Sequence, residues 1–191
     1  EKQDIKAFMV EMFNKTQNGT IAHPPVHDNG DAQTIGYACE VMKWFKPALT
    51  VVNMSAVDGC HANFTGYLAS LHRADHSVGH LWNHIQTQIP EMAGNTAIVI
   101  APECGRNDEP NAVRDQNDWL AYDHSDQNSL RIFGLMAGAG VPSNLVVGGE
   151  DNPVGIATDI VPTVAELLGI KSEVMAAGLI DYGSQSLFDR M

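Results

Sequence analysis

The chain has 191 residues, of which 44% are hydrophobic and 18% charged, a composition that sustains a packed core and argues against a disordered chain. Its formal net charge of −12, with only 11 basic residues and no cluster among them, would repel a phosphate backbone and speaks against nucleic acid as a partner. No apolar run is long enough to span a bilayer, so no membrane partner is expected. Three cysteines are too few for a disulfide framework and leave the compartment open between cytoplasmic and periplasmic or secreted.

Residues 2–16 place Ile5, Phe8, Met9 and Met12 at helical spacing, with Phe13 widening the stripe. A Gly- and Pro-rich loop follows over 17–31. It carries His23, His27 and Asp28, and is open to a metal, to a substrate or to solvent. Residues 32–46 read as a second helix with Ile35, Ala38, Cys39, Met42 and Phe45 on its apolar stripe, stopped by Pro47. The run 48–55 then reads as a buried strand ending in a small polar loop with Asp58 and His61.

A long helix is expected from 62 to about 89. Phe64, Leu68, Leu71, Val78, Trp82, Ile85 and Ile89 form its stripe, and Asp75 falls on the same face as a candidate hydrogen-bonding hub. His72, His76, His80 and His84 recur every fourth residue and spiral along one flank, which reads as solvated. Residues 95–101 form a second apolar strand, followed by Glu103 and Cys104. A long polar loop over 106–129 carries His124; further strands are expected over 130–137 and 145–147. The last helix spans about 158–168, with Thr158 or Asp159 as its cap, Pro162 in its first turn and Gly169 after its end. Apolar strands separated by helices predict one α/β domain over 1–191, a mainly parallel (mixed) sheet with helices on both faces.

Loops that follow successive parallel strands emerge at one edge, so Asp58, His61, Glu103, Cys104 and His124 are expected to converge. One carboxylate and two imidazoles suit zinc or manganese, with a position left for a small anionic ester substrate. Taken singly, Asp58 could instead cap the helix that follows it, and Cys104 be a packed thiol.

Six stretches, in order, resemble the C-terminal part of the alkaline phosphatase superfamily, which includes phosphatases, sulfatases, phosphodiesterases and cofactor-independent phosphoglycerate mutases. They are VVNMSAVDGCHANFTGY, RADHSVGHLW, NTAIVIAPECG, DHSDQNSLRIFGLMAGAGV, ATDIVPTVAELLGI and DYGSQSL, together covering roughly 48–188 and leaving 1–47 as a helical N-terminal segment. The resemblance implies an alkaline phosphatase-like core fragment and a metal-dependent hydrolase of phosphate or sulfate esters. Asp58, His61 and His124 would bind one metal, while Glu103 and Cys104 stand where the family has the Asp-His ligands of a second. Two departures stand out. The pair here is Asp58-x-x-His61 where the family has Asp-x-x-x-His, and Glu-Cys replaces Asp-His. The family's nucleophilic Ser or Thr has no counterpart before Pro47, so no catalytic nucleophile is assigned and one is expected upstream of Glu1. The alternative is a catalytically degenerate relative with a binding or assembly role.

Overall fold

A computed structural model describes residues 2–26, 30–112, 114, 117–118, 120–181 and 183–191. His27 and Asp28, singled out above, lie outside the described residues. The chain forms two compact units: Glu1–Ala93 with Arg114–Ala121, and Gly94–Val113 with Tyr122–Met191.

The first unit is helical: α1 (Lys2–Gln17), α2 (Gly30–Phe45) and α3 (Phe64–Gln88). Its core is the seam between α2 and α3, where Ile35, Cys39 and Met42 meet Leu81, Ile85 and Ile89, with Val52, Met54 and Met92 packed against them. Burial pushes the Cys39 thiol up to about 11, aided by the neighbouring Glu40 carboxylate, so it packs as a small apolar group. The buried face of α3 runs through Ser70, Ser77, Leu81 and Ile85. Ser77 satisfies its hydroxyl by donating to the Arg73 carbonyl at 2.8 Å. Phe64, Leu68 and Leu71, expected on the core stripe, are exposed instead. Asp75 is exposed as well and is not a buried hub.

Helix α2 ends at Phe45. Lys46 turns into the left-handed region (φ 46°), and Pro47 has no N–H with which to continue the ladder. Helix α1 is joined to α2 by edge and tilted ring contacts of Phe8 with Phe45 (4.9 Å) and Trp44 (5.7 Å), and by Lys15 donating to Glu40 at 2.6 Å.

The second unit holds β1 (Ala97–Ile100) and β2 (Leu135–Gly138), followed by α4 (Ile160–Leu167) and α5 (Lys171–Ala176). The strands pair antiparallel, with Ala97 opposite Gly138 and Ile100 opposite Leu135.

This overturns the expected fold class. Helix content is 46%, and the described strands form one two-stranded antiparallel sheet. Among the described residues there is no mainly parallel sheet covered by helices on both faces, and hence no sheet of the kind an alkaline phosphatase-like core fragment requires. The reason lies in what an apolar run reports. Apolarity and β-branching indicate that a segment is to be covered, whereas a strand also needs a neighbour for its N–H and C=O groups. The run 48–55 is neither helix nor part of a ladder. Val52 and Met54 lean on the helices while Val51, 84% exposed, and Asn53 between them face solvent, the alternation of a strand without its sheet. The strand expected over 145–147 is also absent, and Val146 is 92% exposed. Of 130–137, only the last three residues enter β2.

Candidate metal-ligand site

The irregular run after α2 leads into a short 3-10 turn, Asp58–Cys60, and then into α3. Two devices hold this stretch. On the α2 side, the buried carboxylate of Asp31 accepts the Ser55 N–H at 2.9 Å and the Ala56 N–H at 3.2 Å. On the α3 side, Asn63 is the N-cap, its side-chain oxygen accepting the Gly66 N–H at 2.8 Å. Between them, Cys60 lies 3.4 Å from the Ala56 carbonyl and 3.6 Å from the Ser70 hydroxyl.

That frame presents Asp58 and His61 together. His61 Nε2 lies 3.2 Å from Asp58 Oδ1, with the side chains 43% and 58% exposed respectively. As an ion pair so exposed it contributes little to stability, about 0–1 kcal/mol. As a donor pair it has a suitable spacing. Two ligands at about 2.0–2.1 Å from a tetrahedral zinc stand about 3.3 Å apart, and the observed separation fits that edge. The oxygen and nitrogen donors are of the kind zinc and manganese accept, so the pair fits half of a metal site.

The other candidates belong to the second unit. Glu103 is exposed and Cys104 half-buried, just after β1. The chain there runs against the segment before β2: the Gly105 N–H bonds the Ser129 carbonyl at 2.7 Å, and a Cβ on Gly105 would stand 2.4 Å from the Arg131 carbonyl oxygen. Only glycine permits that approach. Among the described residues, neither Glu103 nor Cys104 joins a group of three convergent His, Cys, Asp or Glu side chains.

His124 sits in a loop held by side-chain amides and carboxylates. Asn107 Oδ1 accepts the Ser125 and Asp126 N–H groups at 2.6 and 3.0 Å, Asn111 Oδ1 accepts the Asp123 N–H at 2.8 Å, and Asp123 Oδ1 accepts the His124 N–H at 2.9 Å. His124 Nε2 is 3.6 Å from that same Asp123 oxygen. A second adjacent carboxylate–imidazole pair thus exists, which the sequence reading represented by His124 alone.

No protein-family model matches the chain. Nor does any curated protein or any solved structure with which it was compared.

Sequence reasoning missed two organising carboxylates. Asp31 was counted as the last residue of the loop 17–31, although an acidic residue before an apolar helix is a signal for bonds to neighbouring backbone N–H groups. Asp159 was read as a cap for α4. It does bond the Ile156 N–H at 2.9 Å, but it also accepts the Gln185 N–H at 2.9 Å and pairs with Arg190 Nε at 2.6 Å, wholly buried. Burial alone would raise its pKa. The Arg190 guanidinium and the two backbone donors outweigh that, and the carboxyl is held below its ordinary range. Nothing marks Arg190 in the sequence as its partner.

Proposed function

We propose that this chain is part of a metal-dependent hydrolase of phosphate or sulfate esters, to which it contributes ligands and not the nucleophile. The carrying observation is the Asp58–His61 pair, two donors 3.2 Å apart on a braced, solvent-facing turn. The order of the six stretches that resemble the alkaline phosphatase superfamily supports the same reading. The reading rests on the ligands alone, since the parallel sheet of that family is not formed here. His124 would be the third ligand by that resemblance.

A bound divalent cation would polarise an ester oxygen and lower the pKa of a coordinated water. It would also supply the local positive charge that a chain of net charge −12 needs in order to admit an anionic substrate. The chain's own residues do the positioning. Asp31 and Asn63 fix the two ends of the turn, and Asp58 Oδ1 and His61 Nε2 stand 3.2 Å apart, where a metal could lie between them.

The test is zinc and manganese titration of the purified chain by calorimetry, with Asp58→Ala, His61→Ala and His124→Ala beside it. Saturable binding weakened at least tenfold by each change is expected. No binding with metal in excess, or binding indifferent to all three changes, overturns the reading. A catalytically degenerate relative is the second reading, favoured by the Glu103–Cys104 replacement. It predicts that any binding survives Cys104→Ala unchanged.

A further inference from the structure

Four histidines lie one turn apart on α3, yet they divide into two pairs. His72 and His76 are exposed, with ring centroids 4.7 Å apart in an edge contact. His80 and His84 are half-buried and stacked at 6.4 Å, and the Nε2 atom of each is sealed from solvent without a hydrogen-bond partner. Spacing accounts for the split. A step of four residues turns about 40° beyond a full revolution, so the row begins in water and ends against the seam with α2. A neutral imidazole can leave one ring nitrogen unpaired in such a place. An imidazolium must put both an N–H donor and a charge there, with neither water nor an acceptor to receive them.

The surrounding groups oppose protonation. His23, from the loop before α2, faces His80. From α2, Lys43 and Glu40 face His84, and Glu40 is already bonded to Lys15 of α1. On α3 itself, His80 acts on His84. Burial is the largest cause holding both rings below the ordinary value of 6.5; beyond it, His23 disfavours a charge on His80, His80 and Lys43 disfavour one on His84, and Glu40 pulls His84 the other way.

We propose that His80 and His84 form an acid-sensitive clasp between α3 and α2: neutral, they pack in the seam; protonated, they leave it and α3 loosens from α2. Asp31 of α2 and Asn63 at the start of α3 hold the two ends of the Asp58–His61 turn, so loosening this seam moves that turn. The clasp itself does not depend on the metal reading. Its sign follows from proton counting. Between 6.5 and the lower folded-state values the unfolded chain binds more protons, so stability is full above about 6.5 and falls as the pH drops, by up to about tenfold in the folding constant per ring and per pH unit.

The test is urea unfolding followed by tryptophan fluorescence at pH 7.5 and 5.5, for the native chain, H80L/H84L and, as control, H72L/H76L. The native chain and the control should both lose stability on acidification, and H80L/H84L should lose markedly less. An equal loss in H80L/H84L and the native chain overturns the clasp. Should H80L/H84L not fold, NMR titration of the native chain decides. Rings of His80 and His84 that titrate below 6.5, together with loss of amide protection in α3, support the proposal; titration at or above 6.5 refutes it.

Discussion

The two units hold themselves together by different means. In the first, the buried groups at the centre are apolar: Ile35, Cys39, Met42, Leu81, Ile85 and Ile89 along the α2–α3 seam. In the second, a carboxylate is fully buried, together with the hydroxyls of Thr163 and Ser186. Asp159 ties the start of α4 to Gln185 and Arg190, and Thr163, one turn on, donates to the Asp159 carbonyl and accepts the Leu187 N–H at 2.8 Å. Lys171 adds an outer ion pair by bridging Glu166 and Asp189. An apolar seam is non-directional and tolerates small shifts. A buried carboxylate with fixed donors fails when one partner is removed. The C-terminal segment of the second unit should therefore be the more brittle of the two regions, and the more sensitive to strong acid.

Asp159→Ala is the sharpest way to test that contrast. It leaves Arg190 without its carboxylate and two backbone N–H groups without their acceptor, at a cost of about 3–5 kcal/mol. Amide exchange should show α4 and 183–190 losing protection while the α2–α3 seam keeps its own. Acid should act in the same place. The folded-state value of Asp159 is depressed below the ordinary 3.8, so the unfolded chain binds the proton first. That contribution is complete above about pH 4 and drains away as the pH falls further. Uniform loss of protection across both units would break the distinction.

In the first unit the matching change is Ile85→Ala, at a side chain with no exposed surface. Removing a buried branched chain of this kind costs about 2–4 kcal/mol, part transfer and part cavity. Its readout is the neighbouring thiol. Cys39, held near 11 and sealed in the native seam, should react with thiol reagents only through opening, and faster in the variant. Cys60 and Cys104, both half-buried, should change little. If Cys39 reacts as fast as those two in the native chain, the seam is not the closed core described here.

The helices were legible in the sequence because their evidence is local. Apolar residues at three- and four-residue steps, Pro47 after α2 and Gly169 after α4 are all visible within one segment. The sheet was not legible, since whether 48–55 finds a ladder partner depends on residues far away in the chain. The finer errors share that cause. Asp75 and Leu71 were placed on the buried stripe by spacing alone, but the buried face of α3 runs through Ser70, Ser77, Leu81 and Ile85 instead. At the candidate site, the residue types and the closeness of Asp58 to His61 were readable from a three-residue step. The bracing carboxylate of Asp31, 24 residues before Ser55, was not. Likewise, the division of the histidine row needed the partner helix before burial could be assigned to His80 and His84.

Asn63→Ala asks the smallest question of the comparison. The side chain removes one unpaired N–H from the first turn of α3, and its loss should cost about 1 kcal/mol. If the first unit relies on its apolar seam, this change should fray the turns around Phe64 to Tyr67 and leave Leu81 to Ile89 protected, because the helix is anchored at its far end. Its effect should be only a third or less of that of Asp159→Ala. The cap also adjoins the Asp58–His61 turn, so any metal affinity should fall more than stability does, as the donor pair loses one of its two anchors. A loss of global stability as large as that of Asp159→Ala would mean that polar end-contacts, and not the Ile35–Ile85 seam, hold the first unit, and the contrast between the units would fail.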